Sequence, residues 1–242
     1  MKIIEKTIKA GKTVEVLRYS SPRYGKRGRG RPPEKEESEA CKRSNSKRAE
    51  QNLRWILNEN FQDKEDALVT LSWKKGTAPE DSKEMKRKVQ NFLRRLKTRY
   101  KKSGKELKYV YTMEIGPRGS RHVHMVINDV DIRELSDVWD GGVLDVQPLN
   151  SDGQYGRIAA YFVKYADKTD KTTEQDEGEK IGKKYCASRN LRKPKIKVRH
   201  ITRARFSTPR ERKGYRIDRD LTAEGTNEWD GTAWQRIVYV RD

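Results

Sequence analysis

Residues 107–128 constrain the fold of this chain more than any other stretch. Leu107, Tyr109, Tyr111, Met113 and Ile115 alternate with Lys108, Val110, Thr112 and Glu114. Gly116, Pro117 and Gly119 follow, and then the run Arg121 to Asn128. Alternation sends successive side chains to opposite faces of a strand, and glycine and proline between two such runs mark a turn. Two half-buried strands joined in this way need other elements to cover their apolar face.

The flanking sequence offers those elements. Ala49, Leu53, Ile56 and Leu57 keep helical spacing, and Ala67 to Trp73 is rich in strand formers. Met85, Val89, Phe92, Leu93 and Leu96 form an apolar stripe on a helix starting near Ser82, whose other face carries Lys86, Arg87, Arg94, Arg95 and Lys97. Such a stripe buries against a core, and such a charge run is ordinarily a solvated face. Ile132, Leu135 and Val138 predict a helix with Asp131 near its N-cap, stopped at Gly141–Gly142. Val143 to Leu149 reads as a strand, with Pro148 at an edge or strand end, and Arg157 to Lys168 as a helix. The order is helix, strand, helix, strand, strand, helix, strand, helix, which implies an α+β fold around a mainly antiparallel sheet.

Outside this span the patterning is weaker. Residues 1–20 suit a strand or an arm, residues 22–48 a flexible basic segment, and Trp234 to Val240 is strand-like. The expected division is a basic N-terminal arm over 1–48, a folded domain over 49–170 and a basic C-terminal extension over 171–242.

The chain has 242 residues, 38% of them charged and 33% hydrophobic, with a net charge of +20. Cations spread along the whole length repel one another unless they meet a polyanion, and nucleic acid is the first candidate. A ribosomal-type basic protein would share that charge. The two cysteines, Cys41 and Cys186, lack partners at metal-ligand spacing, which fits a reducing compartment. No apolar run is long enough to span a bilayer, and no secretory signal follows Met1.

Two of the three histidines, His122 and His124, flank Val123. On a strand these positions share a face, so both imidazoles can reach one metal ion, while Val123, Met125 and Ile127 bury the other face. If the turn after Ile115 closes a hairpin, Glu114 lies roughly opposite His122 and offers a carboxylate. Two imidazoles and a carboxylate leave coordination sites open, and suit Mn²⁺ or Mg²⁺. A pair of ordinary strand histidines is the competing reading. His200, alone in a basic stretch, reads as a surface residue.

The second constellation lies on the helix over 157–168. Ile158, Ala159, Phe162, Val163 and Ala166 form its apolar face, Tyr161 and Tyr165 sit one turn apart at the edge of that face, and Lys164 and Lys168 follow each tyrosine by three residues. A free phenol has a pKa of about 10 and needs a nearby cation or metal-bound phosphate to act as a nucleophile. Amphipathic packing alone would also place tyrosines here.

Together these motifs resemble the HUH endonuclease superfamily. His122-Val-His124 is similar to its second motif. Tyr161-x-x-Lys164-Tyr165-x-x-Lys168 is similar to its third motif in the two-tyrosine form, and Leu68-Val-Thr-Leu-Ser72 to its first. The set occurs in family order over roughly residues 50–170 and looks like replication initiators (Rep proteins) of small single-stranded-DNA phages and plasmids. The resemblance implies a five-stranded antiparallel, RRM-like (ferredoxin-like) sheet with the metal ligands on a central strand. It also implies nicking of single-stranded origin DNA through a 5′-phosphotyrosine and religation. Tyr161 and Tyr165 would be the nucleophiles, assisted by Lys164 and Lys168. His122, His124 and Glu114 would hold Mn²⁺ or Mg²⁺, and the setting would be the cytoplasm of a bacterial host. Residues 183–206 resemble basic tails of some Rep proteins. No P-loop motif is present, so a separate helicase is expected.

Two alternatives predict different behaviour. A non-catalytic RRM-like binder of single-stranded nucleic acid would stack bases on Tyr109 and Tyr111 without metal. A transposase or relaxase of the same superfamily would share the chemistry, although paired tyrosines fit an initiator better and the three-histidine cluster usual in relaxases is missing.

Overall fold

A computed structural model describes residues 3–20, 38–74, 76–116, 120–151, 154–175, 183–202, 206–227 and 231–242. Its elements are β1 (Ile3–Ala10), β2 (Thr13–Ser20), α1 (Glu39–Asn60), β3 (Ala67–Ser72), α2 (Ser82–Lys102), β4 (Tyr109–Ile115) and β5 (Arg121–Ile127). They continue with α3 (Ile132–Val138), β6 (Leu144–Pro148), α4 (Gly156–Gln175), β7 (Cys186–Ala187), β8 (Lys195–Ile201), β9 (Tyr215–Ile217), β10 (Ala223–Thr226) and β11 (Ala233–Arg241). They divide between two compact units, a central one over Arg43–Arg192 and a split one built from Met1–Lys42 and Lys193–Asp242.

The central unit is α+β, as the periodicity predicts. Its five strands run in the order β6-β3-β5-β4-β7, with every pairing antiparallel. The histidine-bearing β5 is the middle strand. Side chains from Val69, Leu71, Met113, Val123 and Met125 point to one face and pack with Met85, Phe92 and Leu96 of α2 and Leu135 and Val138 of α3. Val110 and Val126 point to the other face, where Leu53 and Leu57 of α1 and Ala159, Phe162 and Val163 of α4 cover them. Each helix buries its apolar stripe because nothing else in the sequence can shield the sheet.

Local signals set the ends of these elements. The Asp81 carboxylate accepts the Glu84 amide at the start of α2, and Asp131 accepts the amides of Arg133 and Glu134 at the start of α3. After α3, Gly142 adopts φ +142, and a Cβ there would lie 2.7 Å from the Lys74 backbone nitrogen. Only glycine fits that approach. Pro148 ends β6, an edge strand, where its missing N–H costs no ladder bond.

One junction involves a hydroxyl in place of a strand. The two-residue β7 pairs only with Val110 and Tyr111 of β4. Farther along β4, the fully buried Thr169 of α4 takes over: its Oγ1 accepts the Ile115 amide at 2.9 Å and donates to the Met113 carbonyl at 3.3 Å.

The split unit is a six-stranded antiparallel sheet. Five strands follow the order β10-β11-β2-β1-β8, and β9 pairs with β11. Val14, Val16, Ile237 and Tyr239 form its buried cluster, with Tyr215 and Ile217 packed against it. Residues expected to form an arm and an extension therefore pair with each other across the sequence. The expectation of a flexible segment over 22–48 is corrected at its end, because α1 starts at Glu39; residues 21–37 lie outside the described residues. So do residues 117–119 of the expected turn, residues 176–182 and residues 203–205. Among the described residues no helix is long and apolar enough to cross a membrane.

Candidate functional site

The site forms on the α4 face of the central sheet. The register sets Glu114 opposite His122 and Thr112 opposite His124 across β4 and β5, while Ser72 and Thr70 of β3 lie opposite His122 and His124 on the other side. Paired residues project to the same face, so two imidazoles, a carboxylate and two hydroxyls share one patch.

The hydrogen bonds tie them together. Ser72 Oγ lies 2.8 Å from His122 Nδ1. His124 Nε2 lies 2.9 Å from Glu114 Oε2, and its Nδ1 lies 3.3 Å from Thr70 Oγ1. Burial holds His124 below the ordinary imidazole range; the Glu114 carboxylate pulls the other way without overcoming it, and His122 adds to the lowering. A neutral His124 donates from Nε2 to Glu114, which leaves Nδ1 as an acceptor. This tautomer follows from the network.

Above this patch lie the tyrosines of α4. Their rings are 4.3 Å apart, and each ring centroid is 5.0 Å from that of His124. The Tyr161 hydroxyl comes within 3.5 Å of His124 Nδ1, a long contact. Burial raises the Tyr161 phenol above its ordinary pKa, and the Tyr165 hydrogen bond and the Glu114 charge raise it further. The resting phenol is therefore protonated. Lys168 places its ammonium 5.1 Å from the Tyr165 ring centroid, whereas Lys164 is exposed. The structure thus gathers Glu114, His122, His124, Tyr161, Tyr165 and Lys168, and leaves Lys164 at the rim.

Sequence reasoning named the strand containing Thr70 and Ser72 but missed their contacts with the imidazoles. It also missed Thr169, whose hydrogen bonds hold the residues on either side of Glu114. Their only sequence signal is small hydroxyl residues on or beside elements that otherwise read as apolar. Tyr111 is buried in the core beneath α2, and Tyr109 packs against the same core. Neither presents a free face for base stacking. His200 is exposed on β8, as expected.

The donor chemistry of His122, His124 and Glu114 suits a divalent cation. As placed, the His124–Glu114 hydrogen bond occupies two of the donors, and among the described residues no group of three His, Cys, Asp or Glu side chains is arranged to hold a metal ion. A cation would have to replace that hydrogen bond.

Fold and site together describe an α+β protein with paired phenols over a histidine-bearing central strand. A family model described as replication-associated protein ORF2 matches residues 66–170, a stretch that contains all of these site residues. The similarity supports a replication-initiator role. No curated protein and no solved structure matches the chain.

Proposed function

We propose that the chain is a rolling-circle replication initiator that nicks single-stranded origin DNA through a tyrosine and later rejoins it. The observation that carries this reading is the placement of Tyr161 and Tyr165 against His124, beside the Glu114 carboxylate.

In the proposed step a phenol of Tyr161 or Tyr165 loses its proton to a base, and its oxygen forms a bond to the scissile phosphorus. The P–O3′ bond breaks, and the departing oxygen takes a proton to become a free 3′-hydroxyl. The 5′ phosphate stays on the tyrosine as an ester, which conserves the bond for religation. His122, His124 and Glu114 would hold Mn²⁺ or Mg²⁺, which supplies charge stabilisation at the phosphate when bound. Ser72 and Thr70 orient the imidazoles. Lys168, with Lys164 at the rim, adds positive charge where the DNA backbone must approach. The second tyrosine serves the second cut while the first holds DNA, and a separate helicase opens the duplex.

The test uses single-stranded oligonucleotides tiling the element that encodes the chain, with Mn²⁺ or Mg²⁺. Wild-type protein is expected to form an adduct that survives denaturation, with the linked peptide mapping to Tyr161 or Tyr165. The Tyr161→Phe/Tyr165→Phe variant is expected to form none. The proposal fails if both proteins behave alike.

A further inference from the structure

The split unit carries a surface that the nicking site does not use. The register aligns His200, Ile4, Tyr19 and Trp234 as one row across the adjacent strands β8, β1, β2 and β11. Residues paired in this way project to the same face. The next row on that face is Val198, Lys6, Leu17 and Arg236. At a strand spacing of about 4.8 Å, the row from His200 to Trp234 spans roughly 14 Å.

This row is accessible and is built to hold flat rings. Trp234 is 36% exposed, and Val198 is 51% exposed. His200 is exposed, and Tyr19 is half-buried. Across from Trp234 on β10 stands Gly225. A Cβ at Gly225 would lie 3.3 Å from the indole, so the glycine lets the Trp234 ring lie close to the sheet. The Lys6 ammonium sits 5.5 Å from the Tyr19 ring centroid. In the residues that form this unit, lysine and arginine well outnumber aspartate and glutamate.

We propose that this row is a second binding surface for single-stranded DNA, with bases stacked on Tyr19 and Trp234 and phosphates met by Lys6, Arg236 and the basic edge strand β8. Exposed aromatic rings spaced along a positively charged sheet fit unstacked bases and a phosphate backbone together. A duplex hides its base faces and would engage the cations alone. DNA as the ligand rests on the function proposed above; the aromatic row and its charge do not. The surface would hold strand flanking the nick while the central unit performs the chemistry.

The experiment measures binding of a fluorescein-labelled oligothymidylate to the full chain by anisotropy, in a Tyr161→Phe/Tyr165→Phe background that blocks covalent capture. Tyr19→Leu/Trp234→Leu keeps apolar bulk and removes both π faces. It is expected to weaken binding about tenfold or more. Tyr19→Phe/Trp234→Phe keeps the π faces and should stay within about twofold of the parent. Binding to a duplex of equal length should be alike in all three. The proposal is overturned if the leucine pair binds the oligonucleotide like the parent, if the leucine and phenylalanine pairs lose affinity equally, or if duplex binding falls in step. Nicking by the otherwise wild-type chain is scored separately. Its absence would sink the proposed function and leave this binding result standing.

Discussion

The Ser72 hydroxyl, 2.8 Å from His122 Nδ1, leaves Nε2 as the ring nitrogen available to a ligand. A second partner of this kind fixes both tautomer and ring angle, and removing one from a metal-binding histidine typically weakens metal affinity or activity by one to two orders of magnitude. Ser72→Ala is therefore expected to slow adduct formation about tenfold while leaving the thermal midpoint nearly unchanged. Nicking kinetics alongside circular-dichroism melts check this. An equal loss in stability and rate would make Ser72 a packing residue. At this scale the site was half legible. Histidines two apart on a strand, and tyrosines four apart on a helix, announce a shared face by their spacing alone. The Ser72 and Thr70 contacts did not, because they depend on which strand pairs with β5, and pairing between distant segments leaves no local periodicity.

Among the elements, β4 depends most on a neighbour that is not a strand. Past Tyr111 its outer edge is satisfied by Thr169 of α4 rather than by β7. Thr169→Val keeps the shape but leaves the Ile115 N–H and the Met113 carbonyl without that partner, and a buried unpaired group costs about 1–3 kcal/mol. A stability loss of about 2 kcal/mol is expected from urea midpoints at constant slope. Adduct yield should also fall, since Glu114 lies between the two residues released. Most elements of the central unit could be read from patterning because each buries one face: the stripe of α2, the alternation of β4 and the capped, glycine-stopped α3. The elements that escaped have no such face. The opening turns of α1 over Glu39–Arg48 bury no residue, β7 is two residues long, and β8 is exposed along nearly its whole length, so lysine alternating with valine or isoleucine reads as linker.

Across the whole molecule, the segments on either side of the central unit are joined through one buried carboxylate. Glu5 of β1 accepts from Arg18 of β2 at 2.8 Å and from Arg199 of β8 at 2.7 Å. Burial pushes its pKa up, but the hydrogen bonds and charges of the two arginines outweigh this and hold it below the ordinary value of 4.5. A folded-state value below the unfolded one adds stability that is fully present above pH 4.5 and is lost as the pH falls through the folded value. The split unit is therefore expected to loosen on acidification below that point. Glu5→Gln should be less stable at neutral pH and should lose part of the acid dependence. Tryptophan fluorescence melts across pH 3–7 measure both, and an unchanged acid profile in Glu5→Gln would count against this role for the pair.

The pairing of β2 with β11 also has a consequence in time. Thr13 meets Val240 in the finished sheet, so a growing chain must make the whole central unit before its first hairpin finds that partner. At about 5–20 residues per second on the ribosome, the wait is on the order of ten seconds or more. Throughout it, β1 and β2 lack both flanking strands, β8 and β11, and offer open edges to any other extended peptide. The lysines at positions 6, 9 and 12 along that early hairpin are the kind of charge that discourages such mispairing until β11 emerges.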